Sequence, residues 1–356
     1  MKQPYLRASL TKHETYLHRC LELARQAAGH VAPNPLVGAV LVHKDRIIGE
    51  GFHRQYGGPH AEVNCIDSVQ EADRPLIPQS TMYVSLEPCA HHGKTPPCAD
   101  LIVRHRIPEV IIGCRDPFVE VDGKGIDKLH TAGIKTTVGV LEKEATELNK
   151  RFFTFHKYHR PYIILKWAQT ANGRIANEDY SRLHISNELT NRLVHKWRSE
   201  EAAILVGTNT ALFDDPQLNT RLWTGPDPIR LVVDMDLRLP SSLKIFDKKV
   251  RTIVFNTIRH EEQGNLHYYQ VTKDVSLVHQ IANALYQQKI LSILVEGGTR
   301  LLQSFIDEGY WDETRIITNE ELFIDGGIAA PVLRAGSLLE QLKLETDTIE
   351  IVKKTE

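Results

Sequence analysis

Three metal-type donors at fixed intervals constrain this chain more than any other feature. His60-Ala61-Glu62 is followed 25 residues later by Pro88-Cys89, and after eight further residues by Cys98. Imidazole and two thiolates are good zinc ligands, so a fold that uses them must bring separate segments to one point. Three protein ligands leave a fourth position for water, the arrangement of a catalytic zinc. A closed structural site would need a fourth ligand, which His91 or His92 offers. Glu62 lies close enough to flank the metal without binding it and to carry a proton between water and a leaving amine. Both ligand segments fall where helices are predicted to begin, and helix N-termini favour thiolate over thiol. Together these residues match the zinc-deaminase signature.

Composition narrows the remaining options. The 356 residues are enough for about two domains and a sizeable core. Lys plus Arg is 43 and Asp plus Glu is 45, a formal charge of −2 without the basic excess of a nucleic-acid binder. No apolar run approaches the roughly 18 residues of a membrane span. Arg7, Lys12 and Glu14 interrupt any hydrophobic leader, which predicts no secretory signal and a cytoplasmic compartment. The five cysteines, Cys20, Cys65, Cys89, Cys98 and Cys114, all lie in the first third of the chain. Their odd number and a reducing compartment argue against a disulfide framework. Cys20, Cys65 and Cys114 sit on apolar faces and read as buried, inert thiols.

Hydrophobic periodicity predicts two α/β series. Thr11-Lys12-His13-Glu14 reads as a capping box opening a helix through Ala27. Leu36–Val42 and Arg46–Gly49 form a predicted hairpin. A helix from near His60 and strands at Thr81–Leu86, Val110–Cys114 and Ile134–Val138 follow, alternating with helices at Cys98–His105 and Ile126–Ala132. Leu141–Tyr158 reads as one charged helix ended by Arg160-Pro161. That break divides the chain into expected domains at 1–150 and 160–356. In the second, strands are predicted at Tyr162–Ala168, Ala203–Val206, Ile229–Val233, Thr252–Phe255, Ser292–Val295 and Thr314–Thr318. Helices are predicted at Asn187–Arg198, Val278–Gln287 and Arg300–Ile306.

His60-Ala61-Glu62 with Glu87-Pro88-Cys89-Ala90-His91-His92-Gly93-Lys94-Thr95-Pro96-Pro97-Cys98 resembles the deaminase half of the bifunctional riboflavin-biosynthesis deaminase–reductase family. Most nucleoside and RNA deaminases close the site with a short Pro-Cys-x-x-Cys; an eight-residue loop stands here, as in that family. Pro33-Asn34-Pro35-Leu36-Val37-Gly38 matches its opening motif, and Asp116-Pro117-Phe118…Asp122-Gly123-Lys124-Gly125 is similar to a family loop, with Phe118 where Asn is usual. The resemblance implies a cytidine-deaminase-like α/β/α domain in which His60, Cys89 and Cys98 hold Zn²⁺ and Glu62 is the proton donor. It places Asn34, His53, His91 and Lys94 at the substrate, a phosphoribosylated diaminopyrimidinone. Asn34 can donate and accept at a pyrimidine edge, and Lys94 can offer a cation to phosphate.

The second half has no Gly-x-Gly-x-x-Gly and no P-loop. Leu294-Val295-Glu296-Gly297-Gly298-Thr299-Arg300 links a strand to a helix, and adjacent glycines there let backbone amides approach a phosphate. With Lys166–Ala176 and Gly207–Arg221 it resembles the reductase half of the same family, which implies a dihydrofolate-reductase-like α/β domain. NADPH contacts are implied at Ala168, His184, Thr210, Asp214 and the turn of Gly298, Thr299, Arg300, Leu301, Leu302, Gln303 and Ser304. Substrate contacts are implied at Arg182, Arg198, Leu218, Arg221 and Glu296. Arg198 and Arg221 suit a ribose phosphate, and Glu296 suits sugar hydroxyls. Asn172 stands where the family usually has Asp, and Arg182 and His184 where a small polar residue and an aromatic are common.

The expectation is therefore a two-step enzyme: zinc-dependent hydrolytic deamination, then NADPH-dependent reduction of the ribosyl group to a ribityl chain. A zinc deaminase of another pyrimidine or purine, and a deaminase carrying an impaired reductase domain, are the alternatives. No nucleic-acid or membrane partner is expected, and the oligomeric state, a homo-oligomer included, stays open.

Overall fold

The structure, a computed structural model, describes residues 10–90, 96–118, 121–181 and 183–355. The chain divides into two compact units, one ending at Tyr158 and one beginning at His159. His91, His92, Lys94 and Arg182 lie outside the described residues.

The first unit opens with α1 (Lys12–Arg25), whose capping box is formed: Thr11 Oγ1 accepts from the Glu14 amide, and the Glu14 carboxylate accepts from the Thr11 amide at 2.7 Å. The hairpin β1 (Gly38–His43) and β2 (Arg46–Phe52) precedes α2 (Ala61–Asp67). A 3₁₀ stretch at Glu71–Gln79 leads to β3 (Thr81–Leu86), α3 (Cys98–Arg104), β4 (Glu109–Cys114), α4 (Lys124–Thr131) and β5 (Lys135–Val138). Among the described residues these strands form one sheet in the order β2-β1-β3-β4-β5, with β3, β4 and β5 parallel. Strand alternation divides its side chains between two cores. Leu41, Val84 and Ile112 pack with Ala61, Cys65 and Ile102 on one face. Val40, Tyr83 and Ile111 pack with Leu17 and Cys20 on the other. The result is a three-layer unit. Gly51 makes the α2 side possible: a Cβ there would stand 2.2 Å from the Cys65 amide nitrogen and 2.7 Å from the Ala61 carbonyl.

The single helix expected over Leu141–Tyr158 is two, α5 (Glu142–Leu148) and α6 (Lys150–Tyr158). The break is Asn149, buried at 3% exposure. Its Oδ1 accepts from the Leu36 amide at 2.8 Å and its Nδ2 donates to the Leu36 carbonyl at 2.9 Å. The Asn149 side-chain amide thus pairs both backbone polar groups of Leu36 at the point where the two helices meet.

The second unit contains β6 (Tyr162–Thr170), β7 (Arg174–Ala176), α7 (Glu188–Glu200), β8 (Ala203–Val206), α8 (Thr208–Asp214) and β9 (Ile229–Val233). It continues with β10 (Thr252–Asn256), β11 (Glu261–Gln263), β12 (Leu266–Gln270), α9 (Leu277–Gln287), β13 (Ser292–Val295) and α10 (Thr299–Asp307). It ends with β14 (Glu313–Asn319), β15 (Ile328–Ala329), β16 (Ser337–Leu344) and β17 (Asp347–Lys353). The main sheet runs β11-β12-β10-β9-β8-β13-β6-β14-β17-β16 among the described residues. From β12 to β14 every pairing is parallel. Ile163, Leu165 and Val295 face a core with α9 and α10, whereas Tyr162, Ile164 and Leu294 face Val194 and Trp197 of α7. Because β8 and β13 are adjacent and parallel, their C-terminal ends deliver Gly207 and Gly297 to the same edge, where ligands of such sheets bind. There the Gly207 amide donates to the Gly297 carbonyl at 2.9 Å.

We expect Asn149→Ala to lower the unfolding free energy of the full chain by about 2 kcal/mol, because both polar groups of Leu36 lose their buried partner. An unchanged urea midpoint would show that the strap is not stabilising.

Candidate functional site

In the first unit, His60 is the N-cap residue of α2, Cys89 follows the end of β3, and Cys98 is the first residue of α3. Nδ1 of His60 stands 3.6 Å from Cys89 Sγ and 3.3 Å from Cys98 Sγ, and the Cys98 amide donates to Cys89 Sγ at 3.3 Å. All three donor atoms lie within 4.8 Å of one another. Tetrahedral zinc, at about 2.0–2.3 Å from nitrogen and sulfur, sets neighbouring donors about 3.3–3.8 Å apart. The donor set and spacing therefore fit zinc. The Cys89 thiol is pulled down, foremost by a hydrogen bond from Cys98 and then by His60, while that same contact and burial push Cys98 up.

Glu62 sits in the first turn of α2 and is buried. Burial foremost, and then the neighbouring Cys89 charge, raise its pKa. His53 lies edge-on to His60, with ring centroids 5.4 Å apart. Its Nδ1 is 2.9 Å from the Pro59 carbonyl and its Nε2 is 3.1 Å from Asn34 Nδ2. Since a carbonyl only accepts, Nδ1 carries the proton, and Nε2 accepts from Asn34. Asn34 and His53 are thus brought together beside the donor triad, with both ring nitrogens of His53 engaged. Cys20, Cys65 and Cys114 are free and buried, and burial foremost raises each thiol, Cys114 to about 12.

The second unit assembles a buried ionic cluster. Arg198, near the end of α7, grips Glu296 with two bonds, Nε to Oε1 at 2.8 Å and Nη2 to Oε2 at 2.6 Å, and Nη1 donates to the Asn219 carbonyl at 3.3 Å. Lys166 Nζ stands 4.0 Å from the same Glu296 carboxylate. Burial opposes ionisation of Glu296, but Arg198 and then Lys166 outweigh it and pull the group down to about 2. His195, one helical turn before Arg198, is pulled down to about 4 by burial and then by Arg198 and Arg221. Its Nδ1 has no hydrogen-bond partner among the described residues. Lys166 and His195 join the cluster in addition to the residues that the family resemblance implies. The signal for Lys166 is a lone cation inside the apolar strand Tyr162–Ala168.

Other expected contacts fall around this cluster unevenly. Leu218 is buried with φ at +49°, and Arg221 is exposed with Nη1 donating to Asn219 Oδ1 at 3.0 Å. Ala168 is on β6, and Asp214 ends α8. Thr210 Oγ1 lies 3.6 Å from where a Cβ of Gly297 would be and 3.4 Å from that of Gly298. His184 is exposed. Gly298 caps α10, and Thr299 donates to the Ala329 carbonyl at 2.7 Å. Arg300 is exposed and Leu301 half-buried. Leu302 points into the core; Gln303 holds Val332 and Asp307, and Ser304 donates to the Arg300 carbonyl. Those last three side chains are thus engaged within the protein. Asn172 accepts from Thr170 and donates to the Ile324 carbonyl at 2.8 Å, the second a bond that Asp could not make. No helix among the described residues is long and apolar enough to cross a membrane.

Residues 10–114 match the model of the cytidine and deoxycytidylate deaminase zinc-binding region, and residues 161–354 match that of the RibD C-terminal domain. Riboflavin biosynthesis protein RibD of Aquifex aeolicus is 37% identical over 342 residues, covering 95% of each chain. A diaminohydroxyphosphoribosylaminopyrimidine deaminase/5-amino-6-(5-phosphoribosylamino)uracil reductase of Thermotoga maritima superposes with a TM-score of 0.89 at 35% identity, over 96% of this chain and 99% of that one. RibD of Acinetobacter baumannii superposes with a TM-score of 0.87 at 30% identity, over 97% and 99%. A deaminase-type unit with a convergent His-Cys-Cys triad, followed by a reductase-type unit and matched by these relatives over 95–97% of its length, makes the chain a member of the RibD family of bifunctional riboflavin-biosynthesis enzymes.

Proposed function

We propose that this chain deaminates 2,5-diamino-6-(5-phosphoribosylamino)pyrimidin-4-one by hydrolysis and then reduces the ribosyl group of the product to a ribityl chain with NADPH, as a cytoplasmic enzyme. The convergence of His60, Cys89 and Cys98 beside buried Glu62 carries the reading. The domains are taken as 1–150 and 160–356.

For the first step, His60, Cys89 and Cys98 hold zinc, which when bound makes water acidic enough to act near neutral pH. Buried Glu62 is placed to take up a proton at its carboxylate and to return one to the departing amine, while hydrolysis replaces the C–NH₂ group by a carbonyl and releases ammonia. Asn34, with His53 beside it, binds the pyrimidine edge. His91 and Lys94 complete the substrate contacts. For the second step, NADPH, when bound, would supply the hydride that reduces the ring-opened ribosyl group. The Gly297–Gly298 turn, Ala168, His184, Thr210 and Asp214 form its cradle, together with the residues from Thr299 to Ser304. Arg221, Leu218, Arg182 and the Arg198–Glu296–Lys166 cluster receive the substrate, Arg198 or Arg221 taking the phosphate and Glu296 the sugar hydroxyls.

The direct experiment gives the purified full chain the diaminopyrimidinone with and without NADPH and follows both products. Deamination should need no NADPH, and reduction should follow only when it is present. Loss of one thiolate ligand should empty the metal site, so Cys98→Ala should contain far less than the about one zinc per chain expected of the parent; full zinc content in that variant would sink the ligand assignment. Glu62→Gln keeps the shape but cannot relay a proton. It should retain zinc, lose deamination by about 100–10,000-fold, and still reduce substrate that is already deaminated. Near-parental deamination would mean that the proton path lies elsewhere. Arg198→Met removes a charge-assisted contact of about 1.5–3 kcal/mol, equivalent to a KM for the deaminated substrate about 10–100-fold higher in the NADPH-oxidation assay. Zinc content and deamination should not change. A parental KM would exclude Arg198 from the phosphate site.

A further inference from the structure

Glu87 stands between the end of β3 and Pro88-Cys89, and its side chain has no part in the mechanism above. It is 4% exposed. Its Oε2 accepts from the backbone amides of Asp116 at 3.3 Å and Gly123 at 3.1 Å, and its Oε1 accepts from those of Gly125 at 3.0 Å and Ile126 at 3.3 Å. Four amide donors converge on one carboxylate, which offers acceptors only. Its own amide donates to the Cys114 carbonyl at 3.0 Å, extending the parallel β3–β4 ladder by one residue. Glu87 is therefore fixed at both backbone and side chain.

The same contacts reach Cys89. Gly125 is drawn so close that a Cβ on it would lie 1.9 Å from the Pro88 carbonyl oxygen. Pro88 is thus backed by the start of α4. From the other side, the Ala99 amide donates to the Cys89 carbonyl at 3.1 Å and the Cys98 amide to Cys89 Sγ at 3.3 Å. Cys89 lies on neither a helix nor a strand, unlike Cys98 at the start of α3. Its direction is set by what clamps the two residues before it. The similarity of Asp116…Gly125 to a family loop, unexplained by any substrate role, also finds its physical reason here: three of the four donors are Asp116, Gly123 and Gly125 themselves.

We propose that Glu87 is a positioning residue for deamination: its carboxylate binds the backbone around Asp116 and Gly123–Ile126 to the Pro88-Cys89 turn, and so aims the Cys89 sulfur at His60 and Cys98. The proposal rests on the zinc reading of those three residues. Glu87→Gln turns an NH₂ group towards two backbone donors that had an acceptor. Gly125→Ala keeps the Glu87 side chain but drives a methyl group to 1.9 Å from the Pro88 carbonyl oxygen and 3.2 Å from Glu87 Oε1, and so disturbs the clamp from its other side. Groups that orient metal ligands typically contribute about 10–100-fold to metal affinity or activity.

The test uses the full chain. Zinc release to a chelator should be about 10–100-fold faster in Glu87→Gln, and the thiolate-to-metal absorption of the cobalt-substituted protein should shift. Gly125→Ala should move both in the same direction. For deamination kcat should fall more than KM rises, while NADPH oxidation with deaminated substrate stays at the parental rate. Parental zinc release and a parental cobalt spectrum in the variants would overturn the proposal, and a lowered unfolding midpoint alone would assign Glu87 a merely structural role and overturn it equally. If Glu87→Gln does not fold, Gly125→Ala decides by the same two readouts. Zinc retention in Cys98→Ala would remove the zinc reading and this inference with it; zinc loss there with parental behaviour at Glu87 and Gly125 would remove this inference alone.

Discussion

Three soft donors must meet within one coordination sphere, and the first unit is organised around that requirement. Each donor sits at a boundary where the chain changes direction. His60 caps α2, Cys98 opens α3, and Cys89 leaves the C-terminal end of β3. Parallel β3 and β4 force such departures to one edge, because each strand must be followed by a crossover helix. The start of α3 then favours negative sulfur, and the Cys98 amide reaches Cys89 Sγ directly. Moving any of these boundaries by one residue would turn the donor away from the others. Close approach of backbones keeps them in place, at Gly51 against α2 and at Gly125 against Pro88.

The second unit meets a different constraint, the cost of burying charge. Glu296 is flanked by Arg198 and Lys166. A buried ion pair contributes little net stability, since desolvation offsets the attraction, whereas removal of one partner is expensive. Two basic side chains face one carboxylate, and burial lowers the pKa of Lys166. His195 adds no charge, because burial and the nearby arginines keep it neutral. Strongly shifted groups at the C-terminal edge of a parallel sheet, close to a Gly-Gly turn, belong to binding sites more often than to cores.

Much of this was legible in the sequence wherever local rules decide. The capping box at Thr11–Glu14, the helix start at His60, and the strands Thr81–Leu86, Ala203–Val206 and Ser292–Val295 follow from spacing and period alone. What escaped depends on distant partners. The break at Asn149 exists because of the backbone of Leu36, 113 residues earlier. Strand β16 escaped because nearly all of its residues are exposed at the sheet edge, so no buried face imposes a period. Its partner β17 carries Ile349 and Ile351 in alternation, a signal that was present but short. Arg198 and Glu296 were visible singly, but their pairing, 98 residues apart, was not.

That pairing bears on how the reductase half works in the proposed reading. If Arg198 faced only solvent, a phosphate would gain its guanidinium simply by displacing water. Instead the guanidinium is already held by Glu296 through two bonds, so a phosphate must either share it or draw it away from the carboxylate. Sharing suits the geometry better. The guanidinium has five N–H donors, Glu296 and the Asn219 carbonyl occupy three of its nitrogens with one bond each, and the remaining N–H groups stay available. Glu296, held down to about 2 and so ionised throughout the neutral range, keeps its acceptors for hydroxyl groups and holds Lys166 nearby. The cluster is then a fixed polar floor whose groups need little reorganisation when substrate arrives, and that preorganisation is the main contribution a protein makes to a step whose hydride comes from a cofactor.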